Sequence, residues 1–578
     1  MTTNTSESSM EKKVNGTATS GGSSEVAAPE TTDAAAAPKR SAGKTALIML
    51  ALCLAVFLAA LDSVVITVAL PTIARELGAS DSGYAWIGSA YLLTVAALIP
   101  FWGKVSDIFG RKPMLIIANA IFMVGSLIAA LAKNLTMLIA GRAVQGLGGG
   151  GLITLVNICI GDLFSPRERG MYLGIIGGIW ALASSIGPVI GGAFTQRVTW
   201  RWCFWINLPI DGLSLIILTF FLNIHTPKTP LIKGLKAIDW LGSITMTGAT
   251  LMFLLGLEFG GVDAPWESAK VICLLVFGIL TYFVFGVIER FLPAYPVMPY
   301  RIFNNLSTVS VLIVVFFHGL CFIAIAFFLP LYFQLALGAS PILAGVWTLP
   351  AAITLAIASV VNGIVIRATG RYLEIIRVCM ALLTLALGLF INFPGYASWP
   401  RIIIFQIIVG LAVGPPMQAL IMAIQVQLPQ QDVAVGTATL GFIRQMATAI
   451  SVVIGQVIFQ RVLANHSGDL RAAGISETLV SALSGGSSIA AADISAGLPD
   501  AQRAIYDAAV ADAMSKMWIF YTASAGIGLL ASFGIRKVAL SDKHVETKTG
   551  LEPEGEKSAE LPSNAAKRHE GSSEDSPV

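Results

Sequence analysis

The chain has 578 residues, of which 55% are hydrophobic and only 12% are charged, with a mean hydropathy of +0.76. A soluble protein of this length needs far more charge to cover its surface, and the basic residues behind the net charge of +3 flank apolar runs. These runs recur at about 20 residues, the length that spans a bilayer as a helix. The composition excludes a soluble globular protein and gives no support to nucleic-acid binding. It predicts a multi-span protein embedded in a lipid bilayer.

Enzymatic chemistry has no support in the sequence. The six cysteines fall in six separate apolar runs, without the spacing of metal ligands or of a disulfide framework. Gly146–Gly151 fits the pattern G-x-G-x-x-G, but it lies inside an apolar run and lacks the preceding strand of a nucleotide site. Close helix packing explains these glycines better. We therefore expect no enzyme, no metal site and no bound cofactor.

Two polar tails enclose the apolar part of the chain. Residues 1–43 are rich in Ser, Thr, Ala and Gly and lack an apolar stretch, so they predict a disordered tail and not a signal peptide. Residues 541–578, rich in Glu, Lys, Ser and Pro, predict a second disordered tail. Fourteen helical spans are predicted between the tails, at about 45–70, 86–103, 114–132, 135–161, 170–195, 202–222, 239–259, 271–289, 305–333, 342–366, 374–391, 401–426, 433–462 and 516–536.

The distribution of basic residues predicts the orientation of these spans. An even number of spans puts both tails on one side of the membrane. The short loops on that side contain 12 Lys and Arg residues, against 6 in the short loops on the other side. Because Lys and Arg mark cytoplasmic loops, both tails are predicted to be cytoplasmic. The polar segment 463–515 is then an outer loop, and Asn465, in a glycosylation sequon, is a candidate glycan site.

Two isolated charges lie inside predicted spans. Asp62 interrupts the first span, and Arg142 interrupts the fourth. An ionised carboxylate in hydrocarbon costs several kcal/mol, so Asp62 must face a cavity, pair with a cation or bind a proton. Arg142 is its natural counter-charge. One interpretation is a structural salt bridge. The other is a site for protons or for a cationic substrate, in which separation of the pair links protonation to conformation.

The segment between the second and third spans, residues 103–112, is called the hinge segment below. It has glycine at Gly103 and Gly110, with Asp107 and Arg111 four residues apart. These two charges are predicted to pair with helix ends, or with partners near Arg142, and so to lock one conformation. A generic charged loop is the alternative interpretation.

An internal repeat predicts the architecture. Two sets of residues recur in the same order: Gly103, Gly110 and Arg111 as Gly363, Gly370 and Arg371 at an offset of 260, and Gly146 and Gly150 as Gly410 and Gly414 at an offset of 264. They indicate that a six-helix unit occurs twice in the chain. The second copy begins eight helices after the first, so two additional helices lie between the copies. The prediction is an all-α membrane protein with an N-terminal half (44–222), two additional helices (239–289) and a C-terminal half (305–536).

Two further features concern possible conformational and proton-binding groups. Gly187, Pro188, Gly191 and Gly192 in the fifth span predict a kink, because proline removes a backbone hydrogen bond and glycine permits close approach. The kink either controls which side opens or is a packing feature. His318, in the ninth span, is a titratable group, although a lone helical histidine is more often a packing residue.

Together these motifs resemble the fourteen-helix drug:proton antiporter family of the major facilitator superfamily, over about residues 45–540. The resemblance implies three assignments: a gating loop at Gly103, Asp107, Gly110, Arg111 and Lys112, a helix-4 motif at Arg142, Gln145 and Gly146, and an antiporter motif at Gly187, Pro188, Gly191 and Gly192. The segments 84–91, 200–209 and 329–334 resemble fungal members, which are commonly toxin or multidrug efflux pumps. The repeat of the hinge segment lacks its acidic residue, which predicts asymmetric gating.

The resemblance implies export of apolar or cationic small molecules, driven by a proton gradient and working by alternating access. Asp62, Arg142, Gln145 and His318 are the candidate coupling or substrate residues. We expect a monomer in the plasma membrane, with the vacuolar membrane as the alternative. Two rival functions stay open: a vacuolar importer of basic amino acids, and a membrane receptor that does not transport. Retention of both Asp62 and Arg142 argues against the receptor.

Overall fold

The structure, a computed structural model of the chain, describes residues 41–79, 81–261, 264–293, 295–484, 498–542, 544 and 549–550. The described residues form helices joined by short connections, with one isolated bridge between Gly260 and Ala264. Thirteen helical segments are long and apolar enough to cross a bilayer. Helices satisfy their own backbone hydrogen bonds, which lipid cannot do. The predicted class, an all-α membrane protein, is confirmed.

The helices are labelled in chain order. The N-terminal half contains α1 (Ala42–Leu77), α2 (Asp81–Phe109), α3 (Arg111–Ala130), α4 (Leu135–Leu163), α5 (Pro166–Arg197), α6 (Trp202–Trp205) and α7 (Asn207–Phe221). Three helices follow it, α8 (Leu231–Ala237), α9 (Trp240–Phe259) and α10 (Ala269–Phe291). The rest are α11 (Leu306–Leu335), α12 (Pro341–Trp347), α13 (Leu349–Thr369), α14 (Tyr372–Phe390), α15 (Trp399–Gln427), α16 (Val433–Asn465), α17 (Ser467–Ala472), α18 (Glu477–Ser484) and α19 (Asp500–Ser532).

Polar caps and glycines set several helix ends. The side chain of Asn134 accepts a hydrogen bond from Met137 N at 2.8 Å and caps the start of α4. The Asp239 carboxylate accepts from Gly242 N at 2.8 Å and caps α9 in the same way. Each bond satisfies a donor that the first turn of a helix leaves unpaired. α13 ends at Gly370, in the left-handed conformation that glycine adopts without strain.

Several predicted boundaries differ from the structure. α2 and α3 extend into the predicted hinge loop, so only Gly110, at φ 94°, lies between them. The segment 463–515 is not a plain loop, because α17, α18 and the start of α19 lie within it, while residues 485–497 lie outside the described residues. The predicted span 516–536 belongs largely to α19, which is not among the thirteen apolar segments but packs against α11 and α14.

The predicted tails are mostly outside the described residues. Only residues 41–43 of the first tail are described, and only 541, 542, 544, 549 and 550 of the second. The described residues of the second tail contact the N-terminal half, as set out below.

The glycine repeat has the same structural role in both halves. In the N-terminal half, two glycines of α4 lie against the backbone of α2: Gly146 against Tyr91 and Gly150 against Val95. In the C-terminal half, two glycines of α15 lie against the backbone of α13: Gly410 against Ala351 and Gly414 against Leu355. Small residues let helices in lipid approach this closely. The two additional helices, α9 and α10, pack on each other, and α9 also packs on α2.

The two halves are joined by hydrogen bonds along one face, called the tail side because the residues after α19 lie there. Arg167, at the start of α5, donates from Nε to Arg367 O at 3.0 Å, and its own N–H donates to Ser541 O. Gln425 Nε2 donates to Asn157 O at 3.3 Å. Close packing of α5 on α13 lies on the same side, where Gly174 contacts Gly363.

Candidate functional site

Asp62 lies in a buried polar network within the N-terminal half. Arg142 Nη1, from α4, forms an ion pair with Asp62 Oδ2. Gln145 Nε2, three residues further along α4, donates to Asp62 Oδ1 at 2.7 Å, and Gln145 Oε1 accepts from Arg142 Nη1 at 2.7 Å. All three residues are at most 1% exposed. The structure therefore brings together three candidate residues from two separate spans.

Two further residues complete the network, and the sequence analysis missed both. Asn207 Nδ2, at the start of α7, donates to Asp62 Oδ1 at 3.3 Å and to Ser126 Oγ at 3.2 Å. Ser126 Oγ, on α3, also accepts from Gln145 Nε2 at 2.9 Å. A lone amide or hydroxyl in an apolar run has no distinctive spacing. The one signal in the sequence is that Asn207 lies in the segment 200–209, which resembles fungal members of the family.

Aromatic rings enclose the Arg142 guanidinium. The guanidinium carbon, Cζ, lies 4.6 Å from the centre of the Tyr91 ring and 5.7 Å from the centre of the Phe204 ring. Arg142 Nε donates to Ile87 O at 3.2 Å, so the cation is held by hydrogen bonds as well as by ring faces. A buried ion pair is stable only when its remaining donors and acceptors are satisfied. Here Asp62 accepts from Arg142, Gln145 and Asn207, which meets that condition.

The predicted kink region lies beside the network. α5 is one helix through Gly187 and Gly191, and both glycines face α1. A side chain at Gly191 would overlap Val65 O, and one at Gly187 would press on Val64. Val64 and Val65 follow Asp62 closely on α1, so α5 packs on the segment that holds the acid. Gly192 lies near Val68, and the side chain of Pro188 is outside the described residues.

The far end of the N-terminal half, away from the tail side, has its own polar contacts. Arg201 Nη1 and Trp200 Nε1 each donate to the Glu76 carboxylate at 2.7 Å. The hydrogen bond from Arg201, more than that from Trp200, holds the pKa of Glu76 below its ordinary value. These bonds tie the end of α1 to the turn before α6.

The hinge segment contains a second buried ion pair. Arg111 is 1% exposed and pairs with Asp107 at 2.6 Å and with Asp162, at the end of α4, at 2.8 Å. Arg111 Nη1 also donates to Ser106 Oγ at 2.8 Å. The predicted pairing of Arg111 with a helix end is therefore present, through Asp162, which the sequence analysis did not single out. The predicted alternative partner, the region of Arg142, is not used.

The other residues of the hinge segment contact different parts of the tail side. A side chain at Gly103 would overlap Ala438 of α16, so this glycine permits contact between the halves. Gly110 lies against Pro227, and Lys112 Nζ donates to Thr219 O at 2.7 Å. Residues after α19 also reach this region. Gly550 N donates to Asp107 O at 2.8 Å, and His544 Nε2 lies 2.8 Å from Asp162 O.

His318 is separate from the Asp62 network. It is buried in α11 of the C-terminal half, where its Nε2 lies 3.0 Å from Val413 O. Arg444 of α16 packs against the neighbouring Gly319 and donates to Met417 O at 2.8 Å. The structure thus places His318 beside a basic residue and not beside the Asp62–Arg142 pair.

An apolar groove of about 420 Å³ lies between α10, α11 and α16. Aromatic and aliphatic side chains line it, among them Tyr282, Phe303, Phe316, Phe442 and Met446.

Asn465, the candidate glycan site, is the exposed last residue of α16. Within the described ranges, no three His, Cys, Asp or Glu side chains are grouped so that they would hold a metal ion.

Two helical halves related by a repeat, joined along one face and containing buried ion pairs, define a multi-pass membrane transporter. Residues 52–452 match the sequence model of the Major Facilitator Superfamily. The chain belongs to this superfamily. The resemblance inferred from the motifs is confirmed.

Fungal transporters share much of the sequence. The efflux pump dotC of Dothistroma septosporum is 50% identical over 513 residues, which cover 89% of this chain and 88% of that protein. The MFS-type transporter ppz2 of Metarhizium majus is 47% identical, covering 92% and 91%. The efflux pump FUS6 of Gibberella fujikuroi is 40% identical, covering 74% and 78%.

Solved structures support the fold. The human organic anion transporter MFSD10 (TETRAN) aligns with a TM-score of 0.52 and 16% identity, covering 85% of this chain and 99% of that one. The proton:xylose symporter XylE aligns with a TM-score of 0.54 and 15% identity, covering 88% and 99%. At such identities the likeness concerns the fold alone.

Proposed function

We propose that the protein is a proton-coupled efflux transporter, an antiporter that exchanges inward-moving protons for outward-moving small molecules. The observation that carries this proposal is the Asp62–Arg142 pair, a fully buried acid with its counter-charge in the middle of a transporter half. Such residues are expensive in a membrane and mark ion or proton pathways. The relatives named efflux pumps support the direction of transport.

Proton binding is coupled to transport if the hydrogen bonds around Asp62 change between conformations. In this structure Asp62 accepts hydrogen bonds from Arg142, Gln145 and Asn207. α5 packs on α1 next to Asp62 through Gly191, and on α13 of the other half through Gly174. A rearrangement between the halves would therefore shift α5 against the segment that holds Asp62. Loss of donors from Asp62 would let a proton bind, which links protonation to opening.

Contacts between the two halves support the interpretation of the tail side as a closed gate. If both tails are cytoplasmic, as the basic residues predict, this conformation is the one ready to release substrate outward. The Arg111 bonds to Asp107 and Asp162 then stabilise the closed gate within the N-terminal half. The Arg167 bonds to Arg367 and Ala368 stabilise it between the halves.

The substrates are proposed to be apolar or cationic small molecules, such as drugs, toxins or secondary metabolites. The apolar groove between α10, α11 and α16 supports the apolar part of this description. A cationic group would have to compete with Arg142 for Asp62. We place the protein in the plasma membrane as a monomer, and the location of a tagged copy would distinguish this membrane from the vacuolar one.

The test is transport by the purified protein in liposomes with an imposed pH gradient. Rhodamine 6G and Hoechst 33342 serve as dyes, and arginine and lysine serve as basic amino acids. We expect the gradient to drive dye movement and a protonophore to abolish it. The Asp62→Asn protein should still let the dye equilibrate across the membrane, but the pH gradient should no longer drive its accumulation. Gradient-driven accumulation by Asp62→Asn at the wild-type rate would remove Asp62 from coupling, with His318 the next candidate. Uptake of the amino acids in place of the dyes would favour the vacuolar importer.

A further inference from the structure

A second buried acid lies in the same half, on α7, and it has no counter-charge. Asp211 is 0% exposed and lies near the middle of the span formed by residues 202–221. None of the ion pairs in the described part of the chain involves it, whereas Asp62 pairs with Arg142. Its partner is an amide, that of Asn119 on α3. We propose that Asp211 is a second proton-binding site of this protein.

The hydrogen bonds around Asn119 distinguish the two protonation states. One end of the Asn119 amide faces the Asp211 carboxyl group, and the other faces Ser214 Oγ at 3.4 Å. Ser214 Oγ in turn donates to Ala51 O, on α1, at 3.0 Å. A serine hydroxyl has a single proton to donate, and an amide has donors at one end only. The direction of the whole chain of bonds therefore depends on whether Asp211 has a proton.

With a proton on Asp211, every group in the chain has a partner. The Asp211 O–H donates to Asn119 Oδ1, Asn119 Nδ2 donates to Ser214 Oγ, and Ser214 donates to Ala51 O. Without the proton, the Asn119 amide must turn so that Nδ2 donates to the carboxylate. Asn119 Oδ1 then accepts from Ser214 Oγ, and Ala51 O keeps the hydrogen bond that it accepts within α1. Both arrangements satisfy the polar atoms, so the neutral acid is favoured because an ionised Asp211 would be a buried charge without a counter-charge.

Few charged or titratable groups face Asp211 from the helices around it. α1 contains Asp62, which is engaged with Arg142, and Glu76, which pairs with Arg201. It also contains Lys44, Cys53 and Arg75, and neither basic residue forms an ion pair with Asp211 in the described residues. α3 contributes Lys112, whose Nζ bonds to Thr219 O near the far end of α7, and Arg111, which is turned toward Asp107 and Asp162. α6 contributes Cys203, which is buried. No cation therefore competes with a proton for Asp211 within the described residues.

α7 connects the two acids. Asn207 lies one helical turn from Asp211, about 6 Å along the axis, and donates to Asp62. Its other amide atom, Oδ1, is buried and accepts no hydrogen bond from the described residues. We infer that Asn207 links the two sites mechanically, because a change at either acid acts on the same segment of α7. This step rests on the proposed proton-coupled transport, but the binding of a proton to Asp211 does not.

The direct test is infrared spectroscopy of the full-length protein in liposomes, without substrate. A buried neutral carboxyl group has a C=O stretch distinct from that of a carboxylate. We expect Asp211→Asn to remove one such band and Asp62→Asn to keep it. Asn119→Ala should keep the band but displace it, because it removes the partner of the acid. Ser214→Ala should leave the band in place. If Asp211→Asn does not fold, the displacement of the C=O band in Asn119→Ala decides whether Asp211 binds a proton.

Asp211→Asn that removes no band from the carboxyl C=O region, or Asn119→Ala that displaces none, would refute the proton site. A transport measurement then tests the link to coupling. With rhodamine 6G and an imposed pH gradient, Asp211→Asn should lower the number of protons exchanged per dye by one. An unchanged ratio would confine Asp211 to a structural role in transport. If the wild-type protein transports no dye, the proposed function fails, but the infrared result still shows whether Asp211 binds a proton.

Discussion

Asp62 and Asp211 are two acids in one transporter half with opposite surroundings. Asp62 is satisfied as an anion, by a guanidinium and two amides. Asp211 faces an amide that can either donate or accept, and no cation pairs with it in the described part of the chain. Burial of a charge is tolerated when a partner offsets it and is otherwise avoided by binding or losing a proton. The two acids are therefore expected to hold their protons in different conformations.

The Asp62–Arg142 pair gives a prediction about stability that is separate from transport. Arg142→Gln leaves a buried carboxylate without its counter-charge. Removing one partner of a buried pair costs about 3–5 kcal/mol, so we expect far less folded protein in the membrane. The double variant Asp62→Asn with Arg142→Gln removes both charges and should restore the amount of folded protein.

The measurement is the yield and thermal stability of each variant in detergent, followed by dye transport in liposomes. The double variant should fold and still fail to use a pH gradient, because the acid is missing. Wild-type abundance of Arg142→Gln would show that the pair does not stabilise the fold. Recovery of gradient-driven transport in the double variant would mean that the pair has only a structural role.

At the scale of elements, Arg111 joins three helices at the tail side. It begins α3, pairs with Asp107 at the end of α2 and pairs with Asp162 at the end of α4. Only Gly110 separates α2 from α3, and the Arg111 ion pairs hold these two helix ends to the end of α4. Arg111 and Asp162 are buried and Asp107 is 19% exposed, so solvent weakens the Arg111–Asp162 pair little and the Arg111–Asp107 pair somewhat more. It is well placed to stabilise one conformation of the half.

We predict that Arg111→Ala, Asp107→Asn and Asp162→Asn slow transport per folded protein. Each Asp variant leaves Arg111 with its other carboxylate and should stay folded, whereas Arg111→Ala removes the counter-charge of both and should also lower the amount of folded protein. A coupling of about 1–3 kcal/mol corresponds to about 5-fold to 150-fold in an equilibrium, and we expect losses in this range. The measurement is initial dye transport divided by the amount of folded protein. Lys133→Ala, an exposed basic residue in the connection between α3 and α4, is the matched control. Normal rates in all three variants would leave the segment with a role in membrane orientation alone.

At the scale of the whole molecule, the even number of predicted spans gives a prediction about orientation. Tags at residue 1 and residue 578 should be protected in intact cells, and a tag inserted at residue 490 should be accessible. The reason is the excess of basic residues in the short loops on the tail side. Access to a terminal tag and to the tag at 490 from the same side would contradict the fourteen-span arrangement.

The residues after α19 give a second prediction at this scale. Arg167 pairs with Asp542 at 3.0 Å and its backbone N–H donates to Ser541 O, while Gly550 N donates to Asp107 O. The exposed pair contributes little by itself, but the segment leads from α19 of the C-terminal half to several contacts on the N-terminal half at the tail side. We expect truncation after Leu540 to make the tail side open more often, by about fivefold if the segment contributes 1 kcal/mol.

A cysteine at Ser359 reports on this opening. Ser359 is buried on α13 and contacts α5 next to Gly174 and Gly177. In the variant Ser359→Cys, truncation should speed labelling by a membrane-permeant maleimide. The full-length Ser359→Cys protein is the reference, and the chain without the added cysteine gives the background from the six native cysteines. Equal labelling rates with and without the segment would show that it does not hold the gate.

The sequence by itself determined the fold class, because runs of apolar residues can only become spanning helices in lipid. It also identified Asp62, Arg142 and Arg111, since a charge in an apolar run or beside paired glycines is conspicuous. It did not identify Asn207, Ser126, Asp162 or Asp211, whose importance depends on which helices pack together. Only the tertiary structure brought α1, α3, α4 and α7 around Asp62, separated His318 from that network and gave Asp211 an amide in place of a cation. Partners from distant spans are set by three-dimensional packing, and one sequence contains no spacing that reports it.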